Sequence, residues 1–63
     1  MEKSKLVPGQ KYLHHREIII DGRKMEAERR IRCLKITNTG ALFCYEYEVL
    51  ELKDREIQEE ILS

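Results

Sequence analysis

The chain reads as a mainly β protein, a curled three-stranded antiparallel meander closed off by a short C-terminal α-helix. Two turn signals and one change of period point there. The dipeptide Asp21-Gly22 directly follows the β-branched triplet Ile18-Ile19-Ile20, and Asp-Gly suits a two-residue hairpin turn in which both residues take positive φ. Two runs rich in β-branched, aromatic and aliphatic residues, Ile31 to Thr37 and Ala41 to Val49, flank Asn38-Thr39-Gly40, a three-residue loop with Gly where a left-handed conformation is needed. After Val49 the pattern becomes ELKDREIQEEILS, in which Ile57 and Ile61 stand four apart on one helical face.

With 63 residues, the chain is a single small domain near the lower size limit for folding alone. Residues 1–6 are expected to be a frayed N-terminus, 10–49 the β-meander and 54–62 the helix. Leu6-Val7-Pro8-Gly9 serves as the chain entry, because Pro has no N–H for a ladder and Pro-Gly favours a turn. Asp54 is expected to cap the helix, with Glu56 in its first turn and Arg55 paired to Glu59 at i, i+4. Residues 24–33 leave an alternative open, since Met25 to Arg32 has high helix propensity and Ala27, Ile31 and Leu34 form a short apolar helical stripe.

The two turns set an expected register. Asp21-Gly22 places Ile20 opposite Arg23, Ile18 opposite Met25, Arg16 opposite Ala27 and Tyr12 opposite Ile31. The second loop sets Thr37 opposite Ala41, Cys33 opposite Tyr45 and Ile31 opposite Tyr47. It also pairs Arg32 with Glu46 and Arg30 with Glu48, each pair being worth about 0.2–1 kcal/mol. Apolar and charged rows then alternate, as one covered face requires. His14 and Arg29 interrupt the apolar face, while Leu34, Ile36, Leu42 and Cys44 gather on the charged one. A bend or bulge that exchanges the faces accounts for this and suggests a curled sheet.

Charged residues make up 38% of the chain and the net charge is zero, which suits a solvated surface. No apolar run approaches the roughly 18 residues of a spanning helix, and no signal-peptide pattern is present, so a cytoplasmic setting without membrane insertion is expected. Residues 1–40 carry ten Lys/Arg against five Asp/Glu, and residues 41–63 carry two against seven. The simplest reading is mutual neutralisation of the two halves in the fold; a basic nucleic-acid face is the alternative. Cys33 and Cys44 are expected on opposite faces, as small apolar residues in a reducing compartment with no disulfide.

The plan of a Pro-Gly entry, a strongly bent meander and a terminal helix resembles the SH3-like small β-barrels. With its opening strand Gly9-Gln10-Lys11-Tyr12, it is also similar in layout to small proteins of Gram-positive bacteria and their phages. The resemblance implies a small barrel and no particular function, because such barrels host many unrelated ones.

Enzymatic chemistry has little to work with. His14 and His15 are neighbours in a strand and point to opposite faces, so they cannot act on one atom or hold one metal together. Ser4 and Ser63 lie at the ends of the chain. His14, Cys33 and Cys44 are too scattered for a zinc site. No cofactor is expected. The chain is therefore expected to be a non-catalytic binding module that engages a protein partner or itself. The alternative is a nucleic-acid-binding barrel using the basic face of residues 11–35, with Lys11, His15, Lys24, Arg30 and Arg32 as the candidate binding face and phosphates as their natural ligands.

Overall fold

The computed structural model of the chain describes residues 1–62; Ser63 lies outside them. Among the described residues, a 3-10 turn at Lys3–Lys5 leads into four strands that form one antiparallel meander in the order β1 (Lys11–Ile20), β2 (Arg23–Ile36), β3 (Gly40–Tyr45) and β4 (Glu48–Lys53), and the α-helix α1 (Asp54–Glu60) follows. The sheet is open, with β1 and β4 as its two edges, and does not close into a barrel. Residues 24–33 are strand, which resolves the helical alternative.

The first hairpin has the expected register along its whole length, from Ile20↔Arg23 through Ile18↔Met25, Arg16↔Ala27 and Tyr12↔Ile31 to Lys11↔Arg32. Asp21 and Gly22 sit at φ 52° and 76°, the two positive values a type I′ turn demands.

The second hairpin departs from expectation. Ile36 faces Ala41, Lys35 faces Leu42, Cys33 faces Phe43 and Arg32 faces Cys44, with a bulge between Cys33 and Lys35. The bulge inserts Leu34 as an extra residue, so the inward positions run Ile31, Cys33 and then Ile36. This is the physical form of the suspected exchange of faces. Neither Arg32–Glu46 nor Arg30–Glu48 exists as a cross-strand pair, because β3 ends at Tyr45 and the chain reverses over Glu46-Tyr47. Glu46 takes φ 55° there, and the reversal produces a fourth strand in which Tyr45 faces Glu48 and Phe43 faces Leu50. Tyr47, expected in the core, is fully exposed at this turn.

Gly40 was expected in the left-handed region, but it is not among the positive-φ residues. It begins β3 and is buried against β4, where a Cβ would fall on the Leu52 carbonyl oxygen and 2.8 Å from the Lys53 Cα. The residue is required for close backbone approach.

The core is a single cluster of Leu6, Tyr12, Ile31, Cys33, Ala41, Phe43, Leu52, Ile57 and Ile61 on one face of the sheet. Ile57 and Ile61 carry the helix onto that face. The helix starts one residue differently from expectation: Lys53 is the cap residue, and its N–H donates to the Glu56 carboxylate at 2.9 Å. Asp54 instead pairs with the Lys3 ammonium at 2.8 Å, and the expected Arg55–Glu59 pair is present at 3.1 Å. The helix ends at Glu60 and not at 62. Ile61 bridges to His14, and the Leu62 N–H donates to the Leu13 carbonyl oxygen at 2.9 Å, so the last residues add to the outer edge of β1.

The N-terminal residues, expected to fray, are held. Leu6 is buried, Met1 packs on the core, and the Met1 amine donates to the Ile61 carbonyl oxygen at 2.9 Å. The Val7 N–H donates to the Tyr12 hydroxyl at 2.8 Å. Among the described residues, no helix is long and apolar enough to cross a membrane.

Candidate interaction surface

Three places on this frame carry chemistry: the outer basic face, a buried polar cluster under the helix, and the far end of the first hairpin. Alternation along β1 and β2 puts Lys11, His15, Lys24, Arg30 and Arg32 all on the face opposite the core. They do not form one site. Lys11, Arg30 and Arg32 gather over a shallow depression completed by Cys44, Tyr45 and Glu46. The row Lys11–Arg32–Cys44–Val49 runs across all four strands there. His15 lies in the next outer row, beside Glu28, and Lys24 lies further along, separated from the trio by Glu28 and Glu26. His15 faces Glu28 across the strands as expected, but its Nε2 is 3.7 Å from the Glu26 carboxylate.

The displaced register changes the electrostatics of the trio. Glu48 has moved to β4 and Glu46 to the turn, where it still lines the rim of the depression, and among the described residues none of Lys11, Arg30 and Arg32 has a carboxylate within ion-pair distance. Arg32 donates to the Gly9 carbonyl oxygen, so part of its capacity is used in holding the chain entry.

The buried cluster was not anticipated as a unit. His14, only 1% exposed, is the single buried polar residue among the described residues. Its Nε2 donates to the Glu60 carboxylate at 2.8 Å, and its Nδ1 accepts from the Arg29 Nε at 3.4 Å. Arg16 donates to the same Glu60 at 3.0 Å and to Glu56 at 2.8 Å. Arg29 also lies 5.0 Å over the Tyr45 ring, within cation–π range. The apparent defect of a His–Arg pair on the apolar face is therefore a polar clasp that fixes the helix end to β1. The sequence held one half of the signal, since His14 and Arg29 were expected to face each other. Glu60, the other half, lies far away in the chain.

Burial works to raise the Glu60 carboxyl, but the hydrogen bonds from His14 and Arg16 and the guanidinium charge outweigh it, and the group titrates below its usual 4.5. A folded-state value below the unfolded one contributes stability that is present above pH 4.5 and is lost as pH falls through the lowered value. Glu60→Gln is therefore expected to lower the urea midpoint at pH 7, with the gap to the native chain closing below pH 4.5. A gap that is constant with pH would contradict this. Cys33 lies in the core, where burial pushes its thiol up, and Cys44 is half-buried on the outer face. Both are free.

The third place is the outer end of β1–β2. β3 pairs with β2 only as far as Arg32, and the C-terminal residues cover β1 only at Leu13 and His14. Beyond these points the hairpin continues as a two-stranded arm in which every residue from Glu17 to Glu28 is exposed. Ile18, Ile20, Met25 and Ala27 share its core-side face, and Ile19, at 71% exposed, stands on the other. The core-side strip begins at a recess lined by His14, Arg16, Ile18, Ala27 and Arg29.

No family model, no curated protein and no solved structure matches the chain.

Proposed function

We propose that the protein is a non-catalytic interaction module whose contact element is the β1–β2 arm. The observation that carries this is the exposure of Ile18, Ile19, Ile20 and Met25 on a hairpin with both edges open. An isolated two-stranded ribbon is marginal in water, and an open strand edge is a template for pairing with another chain. Photo-crosslinking in cells with a benzophenone amino acid at position 19 tests it. Discrete protein adducts are expected at position 19 and none at position 51, an exposed site on β4. An absence of adducts at position 19 would contradict the proposal.

A second reading is supported by the Lys11, Arg30 and Arg32 trio, which makes no ion pair among the described residues although Glu46 lines the same depression: the outer face as a site for a nucleic-acid backbone. Fluorescence anisotropy with single- and double-stranded oligonucleotides is expected to show binding that weakens steeply with salt and is lost in Arg30→Glu. No change at low ionic strength would remove this reading.

A further inference from the structure

We infer that the occupant of the arm is a second copy of this chain, joined edge to edge along β1 about a two-fold axis at Ile18. The inference rests on the reading of the arm as the contact element and identifies its partner.

The backbone decides which groups are on offer. The Leu62 N–H donates to the Leu13 carbonyl oxygen on the outer side of β1, while the Gln10 carbonyl oxygen accepts from the Cys33 N–H on the inner side. Odd-numbered residues of β1 therefore point their N–H and C=O outward, and those of His15, Glu17 and Ile19 lie past the C-terminal cover. The stretch carries no Pro, no Lys and no bulge to blunt the edge, and its charges are one Arg16 and one Glu17, of opposite sign. The β4 edge, in contrast, is six residues long and bears Glu48, Glu51 and Lys53.

Charge selects the register. In a two-fold antiparallel pair one residue faces its own copy. Centring on Arg16 sets two guanidinium groups face to face, centring on Glu17 does the same with two carboxylates, and centring on Ile19 sets Glu17 against Asp21 twice. Centred on Ile18, no like charges face one another. Ile18 meets Ile18, Glu17 meets Ile19, Arg16 meets Ile20 and His15 meets Asp21. The core-side strip then runs Met25, Ile18, Ile18, Met25 through both copies.

This register also addresses a local conflict. Within one chain Glu17 lies directly opposite Glu26, a like-charge pair that weakens the arm. Lys24 has no acidic partner among the described residues. In the paired arms Lys24 of the second copy falls in the same row as Glu17 and Glu26, beyond its own Ile19. The tip also arrives beside an open cleft lined by His15, Arg16, Glu17, Glu59 and Glu60, so Arg23 of the second copy approaches the carboxylates at the end of α1.

Light scattering over a concentration series is expected to show a mass rising to that of two chains of 7.6 kDa, with Ile18→Lys weakening the dimer at least ten-fold. Ile18→Cys supplies an independent readout. Facing residues of a non-hydrogen-bonded antiparallel pair stand about 4.5 Å apart at Cα, within disulfide range, so mild oxidation should give a covalent dimer above the wild-type background from Cys33 and Cys44. Glu17→Cys, displaced from the axis, should not cross-link to itself. A monomer at every concentration with no Ile18→Cys cross-link overturns the self-pairing. Adducts from position 19 to another protein would then leave the arm reading standing, and no adducts at all would end both. Efficient Glu17→Cys cross-linking in place of Ile18→Cys would overturn the register.

Discussion

Gly40→Ala is expected to abolish the native fold or to lower its stability by about 4 kcal/mol or more, the range reserved for substitutions with a definite steric cause. The added methyl would lie on the Leu52 carbonyl oxygen and 2.8 Å from the Lys53 Cα. Both are backbone atoms of the adjacent strand and cannot rotate away. Relief requires separating β3 from β4 at the point where β4 hands over to α1 and where the Asp54 N–H donates to the Thr39 carbonyl oxygen at 2.9 Å. Urea denaturation followed by circular dichroism checks this. A variant within 1 kcal/mol or so of the native chain, the effect of an ordinary substitution, would show that the two strands are not in contact there.

Phe43→Ala is expected to cost about 3–5 kcal/mol, the usual loss for deleting a buried aromatic ring. Phe43 is the largest fully buried side chain and stands in the middle of β3, between Cys33 on one side and Leu50 on the other. In a domain of this size the loss is comparable to the whole margin of stability. The variant should therefore populate the unfolded state measurably at 25 °C, as amide NMR dispersion would report. Tyr47→Ala makes the contrast, since this fully exposed ring should be removable with little change.

The parts of this fold legible in the sequence are those governed by local turn chemistry. Asp21-Gly22 can do little else than reverse the chain, and the ten-residue register of β1 on β2 follows from that reversal. The surface charge pairs drawn for the second hairpin were lost through two features with no strong local signature. Leu34 adds one residue to β2 as a bulge, and Glu46-Tyr47 turns the chain without Gly, Asn, Asp or Pro, with a glutamate held at φ 55° by the strands on either side. Each shifts partners, and together they undo the cross-strand pairing of Glu46 with Arg32 and of Glu48 with Arg30. That is why the Lys11, Arg30 and Arg32 trio looked neutralised in sequence and is without ion pairs among the described residues of the fold, with Glu46 at the rim of its depression. Gly40 was recognised as necessary for the wrong reason, since its demand comes from a strand that had not been foreseen. The arm was hidden for a related cause. Pattern alone shows a long hairpin, but its exposed length depends on where β3 stops.

Residue-resolved amide exchange across β1 at several protein concentrations tests the role of the arm most directly. Arg16, Ile18 and Ile20, whose N–H groups point into the β2 ladder, should be protected. His15, Glu17 and Ile19 should exchange freely at high dilution and slow as concentration rises. Free exchange of those three at every concentration, or loss of the alternation between odd and even positions, would contradict the account.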